Sequence, residues 1–250
     1  MGALHEGHLS LVRLARRESG FVVVSIFVNP LQFAPTEDLA RYPRREADDA
    51  AAVEREGVDV VFAPDAAAMY PPGFSTAIEI GGVTEGGEGA VRPGHFRGVA
   101  TVVAKLFLQV DPDVAVFGRK DLQQVAVIRR LIRDLDFPIR LVVGEIVREP
   151  DGLAMSSRNV YLSSEERRVA AALPRALFAA QDSVKRGRRD AEDVVANVRR
   201  DLEAAGLRVD YVEVVDPDTM KRLPQASAGA ALAAAVRIGK TRLIDNVLLP

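Results

Sequence analysis

Cysteine and tryptophan are both absent from this chain of 250 residues. Without cysteine, the chain can form neither a disulfide bond nor a metal centre with thiolate ligands, and such a composition is typical of a reducing compartment. Apolar runs are also short, because none reaches the roughly 20 residues that a membrane-spanning helix requires. We therefore expect a cytoplasmic protein without a membrane partner.

The chain also lacks an excess of positive charge. It has 33 lysine and arginine residues against 35 aspartate and glutamate residues, which gives a formal net charge of −2. Binding to the phosphate backbone of a nucleic acid depends on a surplus of cations. We therefore expect small molecules, and no nucleic acid, as partners.

Hydrophobic residues are plentiful, at 48%, and their pattern predicts an α/β fold. The continuous apolar run Phe21–Val28 predicts a strand that is buried on both faces. A predicted helix at residues 44–56 ends at Gly57 and leads into a second predicted strand at residues 58–62, which is the spacing of a right-handed crossover. Because helices and strands alternate up to residue 143, we predict a Rossmann-like, doubly wound parallel sheet.

The pattern changes near residue 160. Two long predicted helices, at residues 167–184 and 191–205, are followed by three strand-like runs. Such an order is typical of an α+β domain. We therefore place a Rossmann-like domain at residues 1–160 and a smaller α+β domain at residues 161–250.

Two segments of the first predicted domain have weaker patterns. Residues 76–80 alternate between polar and apolar side chains, which predicts a short strand. The glycine-rich residues 81–89 show no apolar periodicity and predict a loop. That loop is either a plain surface connection or a lid over a ligand site.

Several polar clusters follow predicted strands, where ligands bind in open α/β sheets. His5 and His8 share one face at the start of a predicted helix, and imidazoles beside a helix N-terminus suit a phosphate. Asn29 and Gln32 offer uncharged amides to hydroxyl and carbonyl groups, although Asn29 alone is better explained as a loop cap. Residues 92–98 combine cations with another predicted helix start, which also favours an anion.

Charged side chains form three more clusters. Asp48 and Asp49 supply oxygen ligands that can hold Mg²⁺ with waters, or they form an exposed helix face. Lys120 can meet a phosphate as a point charge, and Asp121 can accept hydrogen bonds from ribose hydroxyls. Residues 155–159 place two hydroxyls and a guanidinium in one loop, which can clamp a polyphosphate. The same residue types also occur in ordinary polar linkers.

Together these segments resemble the pantothenate synthetase (pantoate–β-alanine ligase) family of the nucleotidylyl-transferase superfamily. The resemblance covers nearly the whole chain and rests on motifs in a fixed order, among them MGALHEGH, SIFVNPLQF, VRPGHFRGVATVVAKLF, REPDGLAMSSRN and TRLIDN. HEGH is similar to the HIGH signature of the superfamily, and MSSRN to its KMSKS loop. The resemblance implies condensation of pantoate with β-alanine to pantothenate through a pantoyl adenylate. It also implies that ATP is converted to AMP and pyrophosphate with Mg²⁺, and that the protein is a homodimer.

The resemblance also implies roles for individual residues. Catalytic roles at the ATP phosphates are implied for His5, His8, Lys120, Ser156, Ser157 and Arg158. Further ATP-binding positions are Met1, Gly118, Asp121 and Met155. The implied pantoate-binding residues are Asn29, Gln32 and Gln124, and the implied metal-binding residues are Asp48 and Asp49. The glycine-rich segment corresponds to a flexible flap, in which Glu88 matches an acidic position.

Two departures from the family pattern lead to further expectations. Arg119 stands where the family usually has glutamate, so it either disturbs Lys120 or points outward. The family also has a strand upstream of this chain's first residue, and the first strand of a doubly wound sheet lies at its centre. We therefore expect the strands around Val24 and Val116 to lack a shared neighbour. Two alternatives stay open: another small-molecule nucleotidylyl transferase, and an inactive, N-terminally truncated form.

Overall fold

The computed structural model of the protein describes residues 2–34 and 37–250. The chain divides into two compact units. The first contains the residues up to Gly81, together with residues 92–119 and 127–145, and the second contains residues 82–91, 120–126 and 146–250. The domain boundary between residues 160 and 161 stays a prediction, because compactness alone does not test which parts fold independently.

The first unit alternates helices with short strands, as the sequence predicts. Its elements are α1 (Glu6–Glu18), β1 (Val23–Ser25), α2 (Glu46–Arg55), β2 (Val60–Phe62), α3 (Ala66–Met69), α5 (His95–Val110), β3 (Val114–Gly118) and β4 (Arg140–Gly144). The short helix between α3 and α5, α4 (Gly87–Val91), belongs to the second unit. Helix α6 (Leu122–Asp134) is divided between the units: its residues up to Ala126 belong to the second unit, and its residues from Val127 belong to the first.

The parallel strands form two separate pairs. β1 pairs with β2, with Val24 opposite Val61, and β3 pairs with β4, with Val116 opposite Val142. Within residues 2–34 and 37–250, no ladder joins β1 to β3. The α/β class with parallel strands is therefore confirmed, and the pairing agrees with the expectation that the strands around Val24 and Val116 lack a shared neighbour.

Helix α1 packs by its apolar face, and this packing fixes where its N-terminus lies. Val12 is buried in one cluster with Val22, Val24 and Val53. On the same helix, Leu11 lies so close to Gly144 at the end of β4 that a Cβ atom there would come within 2.3 Å of Leu11 Cδ2. The apolar face of α1 thus packs against the strands, and this packing determines where the N-terminal end of the helix, with His5 and His8, lies.

The second unit is an α+β structure, which confirms the fold predicted for the C-terminal part. It contains α7 (Ser164–Ala170), α8 (Ala172–Lys185), α9 (Ala191–Ala204), β5 (Arg208–Val215), β6 (Ala231–Ile238) and β7 (Thr241–Leu248). The three strands form one antiparallel sheet in the order β5-β6-β7. A large cluster of buried alanine, leucine and valine side chains lies between this sheet and the helices.

Three local predictions were wrong. The helix predicted at residues 167–184 is divided at Ala171 into α7 and α8. Pro174 lies in the first turn of α8, where its missing N–H costs little, and a longer continuous helix would lose a hydrogen bond there. Residues 76–80 form no strand, because Ile78 N donates to Thr101 Oγ1 instead of a neighbouring strand. The glycine-rich segment, predicted as a loop, contains the start of α4.

None of the helices in the described parts of the chain is long and apolar enough to cross a membrane.

A buried ion pair between Arg148 and Asp245 stabilises the second unit. Arg148 Nη1 and Nη2 donate to Asp245 at 2.6 and 2.9 Å, and the aspartate side chain has 0% exposure. Burial raises the pKa of Asp245 even though Arg148 opposes that rise. Removing Arg148 would therefore leave an uncompensated carboxylate in the interior.

We predict that Arg148→Met lowers the free energy of unfolding by about 3–5 kcal/mol at neutral pH, because methionine can pack on the Phe178 ring in place of the guanidinium but lacks the charge that pairs with Asp245. Without Arg148, the pKa of Asp245 would rise further. The loss of stability should therefore become smaller at acidic pH, where the carboxyl group is protonated and no longer needs a charged partner. Urea denaturation across a pH series measures both effects. Lys185→Met, at an exposed ion pair, is the control and should cost less than about 1 kcal/mol. A loss that is equal at all pH values would contradict this account.

Candidate active site

His5 and His8, two of the three histidines of the first unit, lie side by side at the start of α1. Their ring centroids are 4.0 Å apart. His5 is the N-cap residue, and its Nδ1 accepts a hydrogen bond from Gly7 N at 3.2 Å. His8 Nδ1 in turn accepts from His5 N at 3.3 Å. Because a backbone N–H can only donate, both Nδ1 atoms are unprotonated, and each neutral ring carries its proton on Nε2.

This tautomer decides what the histidine pair can do chemically. Each Nε2–H is a hydrogen-bond donor next to the positive end of the α1 dipole. Phosphate oxygens, which are acceptors, suit such a donor pair at a helix N-terminus. The structure therefore brings His5 and His8 together in a form that can donate to a phosphate, and the phosphate-binding role itself stays a prediction.

Asp48 and Asp49, the two predicted metal-binding residues, have different environments in the first turn of α2. Asp48 is exposed, whereas Asp49 is buried at 3% exposure. Both Asp49 oxygens accept backbone hydrogen bonds, from Ala3 N and Leu4 N, at 2.7 Å each. In the described parts of the chain, no group of three or more histidine, aspartate or glutamate side chains is arranged to hold a metal ion. Asp48 thus has a carboxylate exposed to solvent, whereas both oxygens of Asp49 are occupied by backbone donors, and the metal-binding role of both residues stays a prediction.

The turn that carries Gln32 is organised by Asn29. Asn29 is 2% exposed, and its Nδ2 donates to Gln32 Oε1 at 3.2 Å and to Gly98 O at 3.1 Å. Its Oδ1 accepts from Tyr70 Oη at 2.8 Å and from Leu31 N at 3.2 Å. The amide of Asn29 therefore has two donated and two accepted hydrogen bonds, which is its full capacity. This agrees with the interpretation of Asn29 as a loop cap, and it fixes the orientation of the Gln32 amide.

Two neighbours support the Asn29 turn, and sequence reasoning missed both. Burial raises the pKa of Tyr70 to about 12, so its hydroxyl stays a neutral donor to Asn29 at any physiological pH. Gly98 on α5 allows the close approach of the turn, because a Cβ there would lie 2.2 Å from Leu31 O. The sequence places Gly98 in a conspicuous RPGHFRG motif, but it does not show what the glycine contacts.

Arg92 and His95 hold the backbone of Gln32, although the sequence favoured an anion at residues 92–98. Arg92 donates to both oxygens of Glu37, at 2.6 and 2.8 Å. His95 Nδ1 donates to Gln32 O at 2.8 Å, and because a guanidinium can only donate, His95 Nε2 accepts from Arg92 Nη1 at 3.1 Å. Burial alone would raise the pKa of Glu37, but the hydrogen bonds and charge of Arg92 outweigh it and lower that pKa. The anion that Arg92 binds here is thus a carboxylate of the protein itself.

In the second unit, two residues of β7 connect the segments that carry the predicted phosphate-binding residues. Asn246 Nδ2 donates to Lys120 O at 3.1 Å. The neighbouring Asp245 binds Arg148, whose backbone forms a bridge with Ala154, directly before Met155. Lys120 and the segment from Met155 are therefore both attached to the second half of β7. The TRLIDN motif contains this signal, but sequence alone does not show the partners.

The segment Met155–Asn159 forms a turn with a buried anchor. Ser156 caps the 3₁₀ turn Ser157–Tyr161, and its Oγ accepts from Arg158 N at 3.2 Å. Asn159 is 7% exposed, and its Nδ2 donates to Glu149 Oε1 at 2.6 Å. The side chains of Met155, Ser156, Ser157 and Arg158 are partly exposed. The anchor thus holds the turn from the interior, and the four predicted ligand-binding residues lie toward its surface.

Gln123, which is not among the predicted site residues, holds the glycine-rich segment in place through three hydrogen bonds. Its Nε2 donates to Val83 O at 2.8 Å and to Gly86 O at 2.9 Å, and its Oε1 accepts from Glu88 N at 2.8 Å. Glu88 also accepts two hydrogen bonds from Arg242, at 2.7 and 2.6 Å. Burial would lower the pKa of Arg242, but these contacts outweigh it and raise that pKa.

The remaining predicted positions have few described contacts. Gly118 ends β3, Asp121 is exposed, and Gln124 is partly buried in the first turn of α6. Arg119 pairs with Glu145, donating through Nη1 at 2.7 Å and also through Nη2. Met1 lies outside the described residues. The roles assigned to all these positions stay predictions.

Known proteins similar to this chain form one consistent group. A family model described as Pantoate-beta-alanine ligase matches residues 1–248. A pantothenate synthetase of Roseiflexus sp. (strain RS-1) is 56% identical over 250 residues, which are 100% of this chain and 90% of the relative. A pantothenate synthetase of Thermoanaerobacter sp. (strain X514) is 52% identical over 249 residues, 99% of this chain and 88% of the relative.

Solved structures give the same result. Pantothenate synthetase from Thermus thermophilus superposes with a TM-score of 0.96 at 50% identity, covering 100% of this chain and 91% of that one. Pantoate-beta-alanine ligase from Francisella tularensis, complexed with beta-gamma ATP and beta-alanine, superposes with a TM-score of 0.83 at 34% identity. That match covers 99% of this chain and 87% of the Francisella chain.

We predict that Gly98→Ala lowers the free energy of unfolding by about 1–3 kcal/mol, because the new methyl group forces the Leu31 carbonyl away from α5. Alanine favours helices, so propensity alone predicts the opposite sign. Gly81→Ala is the matched control, since a Cβ there meets nothing within 4 Å. Urea denaturation gives the stability, and the side-chain amide resonances of Asn29 and Gln32 report the displaced turn. Unchanged resonances in Gly98→Ala would count against the packing described above.

Proposed function

The chain belongs to the pantoate-β-alanine ligase family, and we propose that it makes pantothenate from pantoate, β-alanine and ATP by the residues described above. The observation that carries the proposal is that two backbone N–H groups donate to Nδ1 of His5 and of His8, from which we infer that Nε2 of each ring is a donor at the N-terminus of α1. Such donors stabilise negative charge that develops on phosphate oxygens during nucleotidyl transfer.

The proposed reaction has two steps, formation of the adenylate and formation of the amide. First, a carboxylate oxygen of pantoate attacks the α-phosphorus of ATP, the bond between that phosphorus and the bridging oxygen breaks, and pyrophosphate leaves with the electron pair. Second, the neutral amine of β-alanine attacks the acyl carbon of the adenylate, the amine loses a proton, and AMP leaves. Neither step requires a covalent bond to the protein, so positioning and electrostatic stabilisation carry the rate.

The proposed phosphate-binding residues divide by chemistry. His5 and His8 donate to the phosphate oxygens as charge develops there. Lys120 and Arg158 supply positive charge, and the hydroxyls of Ser156 and Ser157 supply further donors. Gly118, Asp121 and Met155 are assigned to the nucleoside part of ATP, with the Asp121 carboxylate accepting from the ribose. Met1 completes the ATP-binding set as a prediction.

Gln32 and Gln124 are the proposed direct contacts to pantoate. The Gln32 amide accepts from Asn29 through Oε1, so its Nε2 is the group assigned to the substrate. Asn29 contributes by orienting Gln32, since its own amide is fully used within the protein. Uncharged amides suit the hydroxyl and carbonyl groups of pantoate.

Mg²⁺ is part of the proposal as a companion of ATP. It would neutralise phosphate charge, and such ions are usually held by one or two carboxylates together with phosphates and waters. The exposed carboxylate of Asp48 is the proposed protein ligand. The glycine-rich segment is proposed to limit the access of water to the adenylate. A homodimer in the cytoplasm completes the proposal, supported by the family and by the absence of cysteine.

A nucleotidylyl transferase acting on a phosphorylated acceptor is the second candidate. It would need a cation for that phosphate near the acceptor, and Arg92, the cation beside Gln32, is already paired with Glu37. The Gln32 site therefore favours an acceptor without a phosphate.

We predict exchange of labelled pyrophosphate into ATP that depends on pantoate and proceeds without β-alanine, because the adenylate forms before the amine reacts. A phosphorylated analogue of pantoate serves as the control acceptor. Exchange supported only by the phosphorylated acceptor would establish the second candidate. An inactive form of the enzyme would show no exchange with either acceptor.

We predict that His5→Ala and His8→Ala each lower the pantoate-dependent exchange rate by about 10²–10³-fold, the usual loss for one oxyanion donor. His5→Asn is the decisive comparison, because asparagine is a good N-cap residue but has no group equivalent to Nε2–H. It should melt like the wild type in circular dichroism and still lose the exchange rate. Full activity in His5→Asn would show that His5 only caps α1.

A further inference from the structure

We propose that Asp49 is a positioning residue for the histidine pair and not a metal ligand. Its carboxylate holds the backbone of Ala3 and Leu4, and this contact places His5 at the N-cap of α1. The inference rests on the proposed function of His5 and His8 as donors to phosphate. It also departs from the role that the family resemblance implied for Asp49.

The contact is specific and buried. Asp49 Oδ2 accepts from Ala3 N and Oδ1 accepts from Leu4 N, both at 2.7 Å, so one side chain holds two consecutive peptide groups. Hydrogen bonds from N–H groups to a carboxylate are stronger than bonds between neutral groups. At 3% exposure, Asp49 is shielded from water that would compete for them.

The segment held by Asp49 has an unfavourable backbone conformation. Ala3 has a φ of 50°, in the left-handed region that a residue with a Cβ avoids. Such strained residues persist only where surrounding contacts hold them, and they concentrate near functional sites. The two hydrogen bonds to Asp49 hold the peptide N–H groups of Ala3 and Leu4, one at the strained residue and one directly after it.

A short series of contacts links Asp49 to the imidazole rings. Directly after Leu4, His5 N donates to His8 Nδ1, and Gly7 N donates to His5 Nδ1. A displacement of Ala3 and Leu4 would move His5 N away from His8. Both rings could then exchange their proton between Nδ1 and Nε2, and the fixed Nε2–H donors would be lost.

The same geometry argues against a shared metal site with Asp48. Each Asp49 oxygen already accepts an N–H, and a Mg²⁺ ion would bring positive charge next to those two donors. Neighbouring residues on a helix point in different directions, because one turn contains 3.6 residues. Asp48 is accordingly exposed whereas Asp49 is buried. Asp48 is left as the carboxylate for a cation.

The first test uses the protein without ATP or metal. The chain has three histidines, so nitrogen-15 spectra of their side chains resolve the tautomers of His5 and His8, with His95 as an internal control. We expect Asp49→Asn to change the His5 and His8 signals from the Nε2–H form to an average of both tautomers. The reason is that the NH₂ group of asparagine replaces one carboxylate oxygen of Asp49. This NH₂ group cannot accept a hydrogen bond, so it faces the N–H of Ala3 or of Leu4 without bonding to it. Asp48→Asn and Glu46→Gln, which remove a charge from the same helix turn, should leave all three rings unchanged.

The second test measures pantoate-dependent pyrophosphate exchange over a range of Mg²⁺ concentrations. We expect Asp49→Asn to lower the maximal rate about 10²-fold, the usual effect of misplacing reacting groups, with the Mg²⁺ midpoint unchanged. Asp48→Asn should instead shift the Mg²⁺ midpoint to higher concentration. This opposite pattern separates positioning from metal binding.

Two results would overturn the proposal. In the first, Asp49→Asn shifts the Mg²⁺ midpoint and leaves the three imidazole signals as in the wild type, which would make Asp49 a metal ligand. In the second, the His95 signals change together with those of His5 and His8 and the melting temperature falls, which would make Asp49 a general support of the fold. If the wild type shows no pantoate-dependent exchange, the proposed function fails, and the imidazole spectra still decide the role of Asp49.

Discussion

A backbone N–H that donates to an imidazole nitrogen is the interaction on which the first half of the candidate site depends. At the start of α1, Gly7 N binds His5 Nδ1 and His5 N binds His8 Nδ1. The helix terminus thus satisfies its own unpaired N–H groups with the two side chains that are proposed to donate to phosphate through Nε2. Capping and the proposed chemistry are therefore coupled, because the tautomer that caps the helix is also the one that the proposed donation to phosphate uses.

A second principle is that side chains proposed to face a ligand are held by others that are not. Asn29 holds Gln32, His95 holds the Gln32 carbonyl, and Asn159 holds the turn with Ser156 and Arg158. Each of the holding groups is itself hydrogen-bonded, so the ligand-facing group has few alternative positions. Such preorganisation reduces the conformational entropy lost when substrate binds.

In the second unit, buried carboxylates are held in a similar way by arginine side chains. Glu88 and Asp245 are both buried, and each carboxylate accepts two hydrogen bonds from one arginine. Burying an unpaired carboxylate is costly, so these partners fix the positions of the elements that carry them. The glycine-rich segment is attached in this way through Glu88, and the second half of β7 through Asp245. Glycines in that segment allow close packing here, and they do not by themselves indicate a mobile loop.

The sequence by itself determined the α/β class, the order of most helices and strands, and the family, and it predicted which polar clusters carry the chemistry. These follow from local rules, because hydrophobic periodicity sets secondary structure and the motifs lie at predicted strand ends and helix starts. Only the tertiary structure decided that Asp49 binds Ala3 and Leu4, that Arg92 binds Glu37, and that residues 76–80 form no strand. Each of these depends on a partner more than twenty residues away in the chain, and a carboxylate or an N–H shows nothing in its local sequence about which distant group it will meet.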